Sequence, residues 1–139
     1  MWGKESKILG VVGGMGPLAT QLFYRMLIDM TAAECDQDHL DMIILNHASM
    51  PDRTDAIKSV RIEELYEALL RDVKKLEQNG AAAIAIPCNT SHMVLDRLQA
   101  KAGIPIINMI RETVRSIKED RKEVRKVGIL ATDGTVASG

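Results

Sequence analysis

The chain has 139 residues, 18 of them Lys or Arg and 19 Asp or Glu, for a formal net charge of −1. That balance implies neither a nucleic-acid partner nor an anionic membrane surface, and no apolar run approaches the ~20 residues of a membrane-spanning helix. The length suits one ordinary domain with a real core. The chain holds two cysteines, Cys35 and Cys88. Neither lies in a CxxC motif, so neither zinc binding nor thioredoxin-like chemistry is suggested, and in a reducing compartment both are expected as free thiols. The start of the chain lacks the apolar core of a signal peptide and runs straight into a strand-like segment, so a cytoplasmic location is expected. The methionines read as core filler.

In chain order, residues 7–12 (KILGVV) read as a buried strand closed by the glycine turn 13–16. Pro17 suits the first turn of a helix. That helix is expected to run to about Ala33, with Leu18, Leu22, Met26 and Met30 as its apolar stripe. Residues 41–45 (DMIIL) form the second strand, and 46–56 a polar loop containing Pro51. Residues 61–78 are amphipathic, with Ile62, Leu65, Leu69, Val73 and Leu76 on one face; Asn79 and Gly80 stop the helix. Residues 81–86 (AAAIAI) are a third strand, 91–101 a helix, 105–107 a short fourth strand, 110–122 a helix and 127–131 a fifth strand.

This alternation predicts an α/β fold, a parallel sheet with helices on both faces and right-handed crossovers. Ligands of such sheets sit beyond the carboxyl ends of the strands. The turns at 13–16, 46–54, 87–90 and 132–135 all follow strands and are expected to gather there. The layout of 126–138 (strand, small-residue turn, helix start) repeats that of 7–20. The division expected is therefore residues 1–125 as one α/β domain, and 126–139 as the first strand and turn of a second domain only begun in a truncated chain.

The segment 87–92 (PCNTSH) carries most chemistry. A cysteine between a buried strand and a helix start lies near the positive end of the helix dipole and near free backbone N–H groups, which favour thiolate. Asn89 and Thr90 can donate hydrogen bonds to a carboxylate, as can the amides at the helix start. A lone cysteine there is more often plain packing; three other polar loops on the same edge favour the catalytic reading. In 46–54 (NHASMPDRT), Arg53 offers a bidentate fork to a carboxylate, unless it pairs with Asp52 or Asp55. His47 reads as a hydrogen-bonded loop residue. The glycine turn lets backbone approach a ligand closely. Its spacing is not GxGxxG, and no acidic residue ends the second strand, so a dinucleotide site is not indicated.

The motifs 13–20 (GGMGPLAT), 46–54, 87–92 and 128–135 (GILATDGT), in collinear order over nearly the whole chain, resemble the aspartate/glutamate racemase family, closest to its aspartate racemase branch. The resemblance implies a two-domain α/β enzyme without cofactor, in which two cysteines, one per domain, flank the substrate α-carbon. It implies Cys88 as the catalytic thiol and Arg53 as the ligand of the side-chain carboxylate. It further implies Asn89, Thr90, Thr132 and Thr135 as α-carboxylate and amino-group contacts, with Gly14 and Met15 in the first active-site turn. The substrate implied is a small acidic amino acid, aspartate rather than glutamate by likeness to the branch. The second-domain cysteine motif and cation of the family are absent, and Cys35, at the amino end of the sheet, is no substitute. The alternatives are a non-catalytic carboxylate-binding or dimerisation module, and a related cysteine-dependent hydrolase or isomerase such as maleate isomerase. A homodimer is left open: the helix at 61–78 is able to pack between subunits, and a shortened chain would expose apolar surface.

Overall fold

The computed structural model describes residues 7–59 and 61–138. Residues 1–6, which carry most of the signal-peptide argument, together with Val60 and Gly139, lie outside the described residues.

Three parallel strands make the sheet: β1 (Ile8–Gly13), β2 (Met42–Asn46) and β3 (Ala81–Ala85), in the order β2-β1-β3. The register pairs Leu9 with Met42 and Gly13 with Asn46, and Val11 with Ala85, so the ends of all three strands reach one edge together. The expected fourth strand is reduced to one parallel bridge between Ile84 and Ile106. Ile84 donates to the Pro105 carbonyl at 2.9 Å and Ile107 to the Ile84 carbonyl at 2.8 Å. Pro105 has no N–H of its own to extend the ladder.

Helix α1 (Pro17–Met30) opens on proline and ends at Met30, three residues before the expected end, with Thr31 as its C-cap. Helix α2 (Arg53–Lys58) lies where a loop was expected. Asp52 caps it, its carboxylate accepting from the Asp55 N–H at 2.7 Å. Asp immediately before a short polar run is an N-cap signal; the neighbouring proline favoured the loop reading. Helix α3 (Ile62–Gln78) follows, ending at Asn79 with Gly80 at φ +87° in the left-handed stop position. The helix expected over 91–101 is instead a 3-10 turn (Thr90–Val94) running into a short α4 (Leu95–Gln99). Helix α5 (Met109–Asp120) is capped by Asn108, whose side chain accepts from Arg111 at 2.9 Å. Helix α6 (Asp133–Ser138) closes the described chain.

The run 127–131 is exposed and pairs with no strand among the described residues. A strand needs an edge to bond with, and among the described residues this run is laddered to none.

The core lies on one face of the sheet. Leu65, Leu69, Val73 and Leu76 of α3 are fully buried against Val12, Ile84 and Ile86, with Leu98 of α4 beside them. Burying each such side chain stabilises by about 1.5–3 kcal/mol. The other face is thinly covered. The apolar stripe of α1 is solvent-facing, with Leu18 and Met30 each 79% exposed and Leu22 and Met26 about half so; these methionines are therefore not core filler. Only Thr20 of α1 is buried. Periodicity identifies an apolar face; it does not say what covers it.

Candidate active site

The four turns that follow the strands and the strand-like run do meet. Gly14, at φ +91°, packs so closely on the second loop that a Cβ there would lie 2.5 Å from the His47 carbonyl carbon. The His47 N–H donates to the Gly13 carbonyl at 3.1 Å. The Gly14 N–H donates to Thr20 Oγ1 at 2.9 Å, tying the turn to α1. Met15 is buried and reaches the third turn, where its Sδ accepts from Ser91 Oγ at 3.6 Å. The last turn joins through threonines: Thr135 Oγ1 lies 2.9 Å from Thr90 Oγ1 and accepts from Asn89 Nδ2 at 3.4 Å. Thr132 Oγ1 lies 3.3 Å from Thr135 Oγ1. Gly134 abuts α2, where a Cβ would lie 2.5 Å from Thr54 Oγ1.

Cys88 stands at the centre of this edge, just beyond the end of β3, with 9% of its surface exposed. Ser91, fully buried one 3-10 turn later, donates to Cys88 Sγ at 3.1 Å. His92 anchors the turn. Its Nε2 accepts from the Met109 N–H at 3.1 Å, which places the ring proton on Nδ1, and Nδ1 donates to the Cys88 carbonyl at 2.9 Å. This is a neutral, buried, structural histidine that fastens the Cys88 backbone to the start of α5.

His47 makes an ion-pair-type contact, Nδ1 to Asp72 Oδ2 at 2.6 Å, with Lys75 Nζ 3.6 Å from the other oxygen. Asp72 is 2% exposed in the middle of the apolar face of α3. His47 is therefore the bonded loop residue that its spacing suggests. Asp72, Ser91 and His92 were not singled out in the sequence. Asp72 had a legible signal, a carboxylate falling at a core position between Leu69 and Leu76.

Arg53 begins α2 and is half-buried. It pairs with neither neighbouring acid: Asp52 caps the helix and Asp55 bonds Arg61. Its Nη1 donates at 3.5 Å to the Pro51 carbonyl, and it makes no ion pair among the described residues. Cys35 is exposed in the connection before β2, at the opposite end of the sheet, where its Sγ donates to Asp38 at 3.4 Å. Among the described residues no cluster of His, Cys, Asp and Glu is arranged to hold a metal ion, and no helix is long and apolar enough to cross a membrane.

Fold and site define an α/β protein with a buried thiol among hydroxyl and amide donors at the carboxyl edge of a parallel sheet. The family model for Asp/Glu/hydantoin racemases matches residues 12–139, and the chain belongs to that family. It is 30% identical over 135 residues to the broad specificity amino-acid racemase RacX of Bacillus subtilis (strain 168), an alignment covering 94% of this chain and 57% of that protein. Its structure is similar to that of Picrophilus torridus aspartate racemase, with TM-score 0.86 and 36% identity over 96% of this chain and 56% of that one. An aspartate racemase homologue from Pyrococcus horikoshii OT3 gives TM-score 0.69 and 25% identity over 84% of this chain and 50% of that one. The chain thus spans a little over half the length of the curated relative it matches.

Proposed function

We propose that this chain supplies one half of a cofactor-independent amino-acid racemase site, with Cys88 as the base on one face of the substrate α-carbon. The observation that carries the reading is the position of Cys88 Sγ, held by Ser91 where the four loops converge. An amino-acid α-proton is a very weak acid, so its removal needs a placed base and stabilisation of the resulting charge. The Cys88 thiolate takes the proton and becomes a thiol. The electron pair left on the α-carbon delocalises into the α-carboxylate as an enediolate. Asn89, Thr90, Thr132 and Thr135 offer donors for that carboxylate and the amino group. Arg53, with no ion pair to give up among the described residues, binds the side-chain carboxylate of an acidic substrate, aspartate by likeness to its relatives. Inversion then requires a proton from the opposite face. Cys35, at the opposite end of the sheet, does not supply it, so the second acid comes from outside the site described.

The test is incubation with L-aspartate and with D-aspartate in D₂O, following α-proton loss by NMR and chirality by chromatography, beside Cys88→Ala. Exchange with inversion, lost in the variant, is expected of a complete site, and exchange of one enantiomer with retention of a half-site. Exchange that survives Cys88→Ala removes Cys88 from the role. A second reading, a carboxylate-binding or dimerisation module, is favoured by the exposed stripe of α1. It predicts aspartate binding or self-association with no exchange.

A further inference from the structure

We propose that Ser91 is a positioning residue that keeps Cys88 in its thiolate form. The proposal rests on the reading of Cys88 as the base and deepens it.

Ser91 is fully buried, so its hydroxyl must find its partners inside the protein. Its two hydrogen-bond partners are both sulfur: Cys88 Sγ at 3.1 Å and Met15 Sδ at 3.6 Å. A thioether and a neutral thiol are weak acceptors, whereas an ionised sulfur is a strong one. Facing these two sulfurs among the described residues, the buried hydroxyl makes its strongest bond in one state, with Cys88 ionised and Ser91 donating to it; a neutral Cys88 thiol offers it only weak bonds. An alanine at 91 would offer no hydrogen bond to either form and would remove that bias. The backbone is arranged to keep the geometry. Ser91 lies in the 3-10 turn (Thr90–Val94) that begins two residues after Cys88, and its hydroxyl comes back to Cys88 Sγ, while His92 bonds the Cys88 carbonyl. Met15, itself buried, meets the same hydroxyl from the first turn. Proton abstraction then converts thiolate to thiol and weakens the Ser91 bond.

The experiment uses the 139-residue chain in a Cys35→Ser background, since Cys35 is exposed and would react first. Thiolate ultraviolet absorbance and the rate of iodoacetamide alkylation are followed against pH with and without Ser91→Ala. Folding of both is checked by circular dichroism. The alanine variant should ionise about one pH unit higher, so that below both midpoints it carries roughly tenfold less thiolate and alkylates roughly tenfold more slowly. The two should converge above about pH 10, where any thiol is ionised. A rate ratio that is constant with pH would mean that Ser91 acts only on access, and would overturn the proposal. Coincident ionisation midpoints for the two, with the parent substantially ionised near neutrality, would also overturn it and leave Cys88 as the base. A parent that ionises only in the free-thiol range, around pH 8.5, would sink both the Ser91 role and the pre-formed base.

Discussion

At the scale of single residues, the site depends on positions where little room exists for change. Gly14 combines φ +91° with backbone of His47 and Ala48 within 2.7 Å of where a Cβ would stand. Gly14→Ala meets main chain rather than a movable side-chain tip, and adds the strain of a left-handed conformation. A loss of at least about 2 kcal/mol is expected, read as a lower urea midpoint; an unchanged midpoint would mean that the first two loops are not in contact in solution. Arg53 makes the opposite case, a residue held ready rather than locked in. Arg53→Lys keeps the charge but loses the fork, so aspartate binding measured by calorimetry should weaken while the melting temperature stays put. Residues of this second kind are legible in sequence: Cys88, Arg53 and Thr90 stand out by type and place. Ser91 and His92 are not. A serine or histidine three or four residues after a cysteine has many fates, and only burial together with its partners shows that one holds the sulfur and the other the backbone.

At the scale of elements, α3 links core to site. Its buried positions include Leu65, Leu69, Val73 and Leu76, with Asp72 on the same face. The carboxylate is tolerated because His47 meets it, and that bond in turn fixes the loop leading to Arg53. Asp72→Ala should cost about 2–4 kcal/mol, since it leaves the His47 Nδ1–H unpaired and a small void behind. Asp72→Asn keeps an acceptor oxygen and should cost less. Equal denaturation midpoints for wild type and Asp72→Ala would show that the pair does not support the fold. A second link is exposed. Arg97 of α4 makes a fork to Glu63 at the start of α3 and lies over the Tyr66 ring. The Arg97 hydrogen bond holds the Glu63 carboxyl below its ordinary value of 4.5. A lowered folded-state value gives stability that is present above 4.5 and lost as pH falls through the folded value. Glu63→Gln should therefore flatten the acid limb of the stability profile and leave the neutral region little changed, as expected for a solvated pair. An acid limb identical to wild type would assign the loss to other carboxylates.

At the scale of the whole molecule, the strand-helix alternation was enough to give a parallel sheet and the edge where its loops meet. It did not give the coverage of the second face. Fourth-strand residues 105–107 and the run 127–131 have strand-like composition, yet a strand exists only where a neighbour offers an edge, and that is a property of the assembly rather than of the segment. The same limit explains α1. Leu18, Leu22, Met26 and Met30 recur at helical spacing as an apolar stripe, and the methionines read as core filler, but the core lies on the opposite face, with α3 and α4. Nothing among the described residues covers this stripe, and Ile110 and Val114 of α5 are also about half exposed. Apolar surface of this extent lowers solubility or drives association. Sedimentation of the 139-residue chain should show mass rising with concentration. Leu22→Gln with Met26→Gln should shift it toward monomer without lowering the melting temperature by more than about 1 kcal/mol equivalent, because both side chains are already half in water. A wild-type chain that stays monomeric and soluble would mean that α1 repacks its stripe inward in solution. A double variant that unfolds would mean that the stripe is already part of the core.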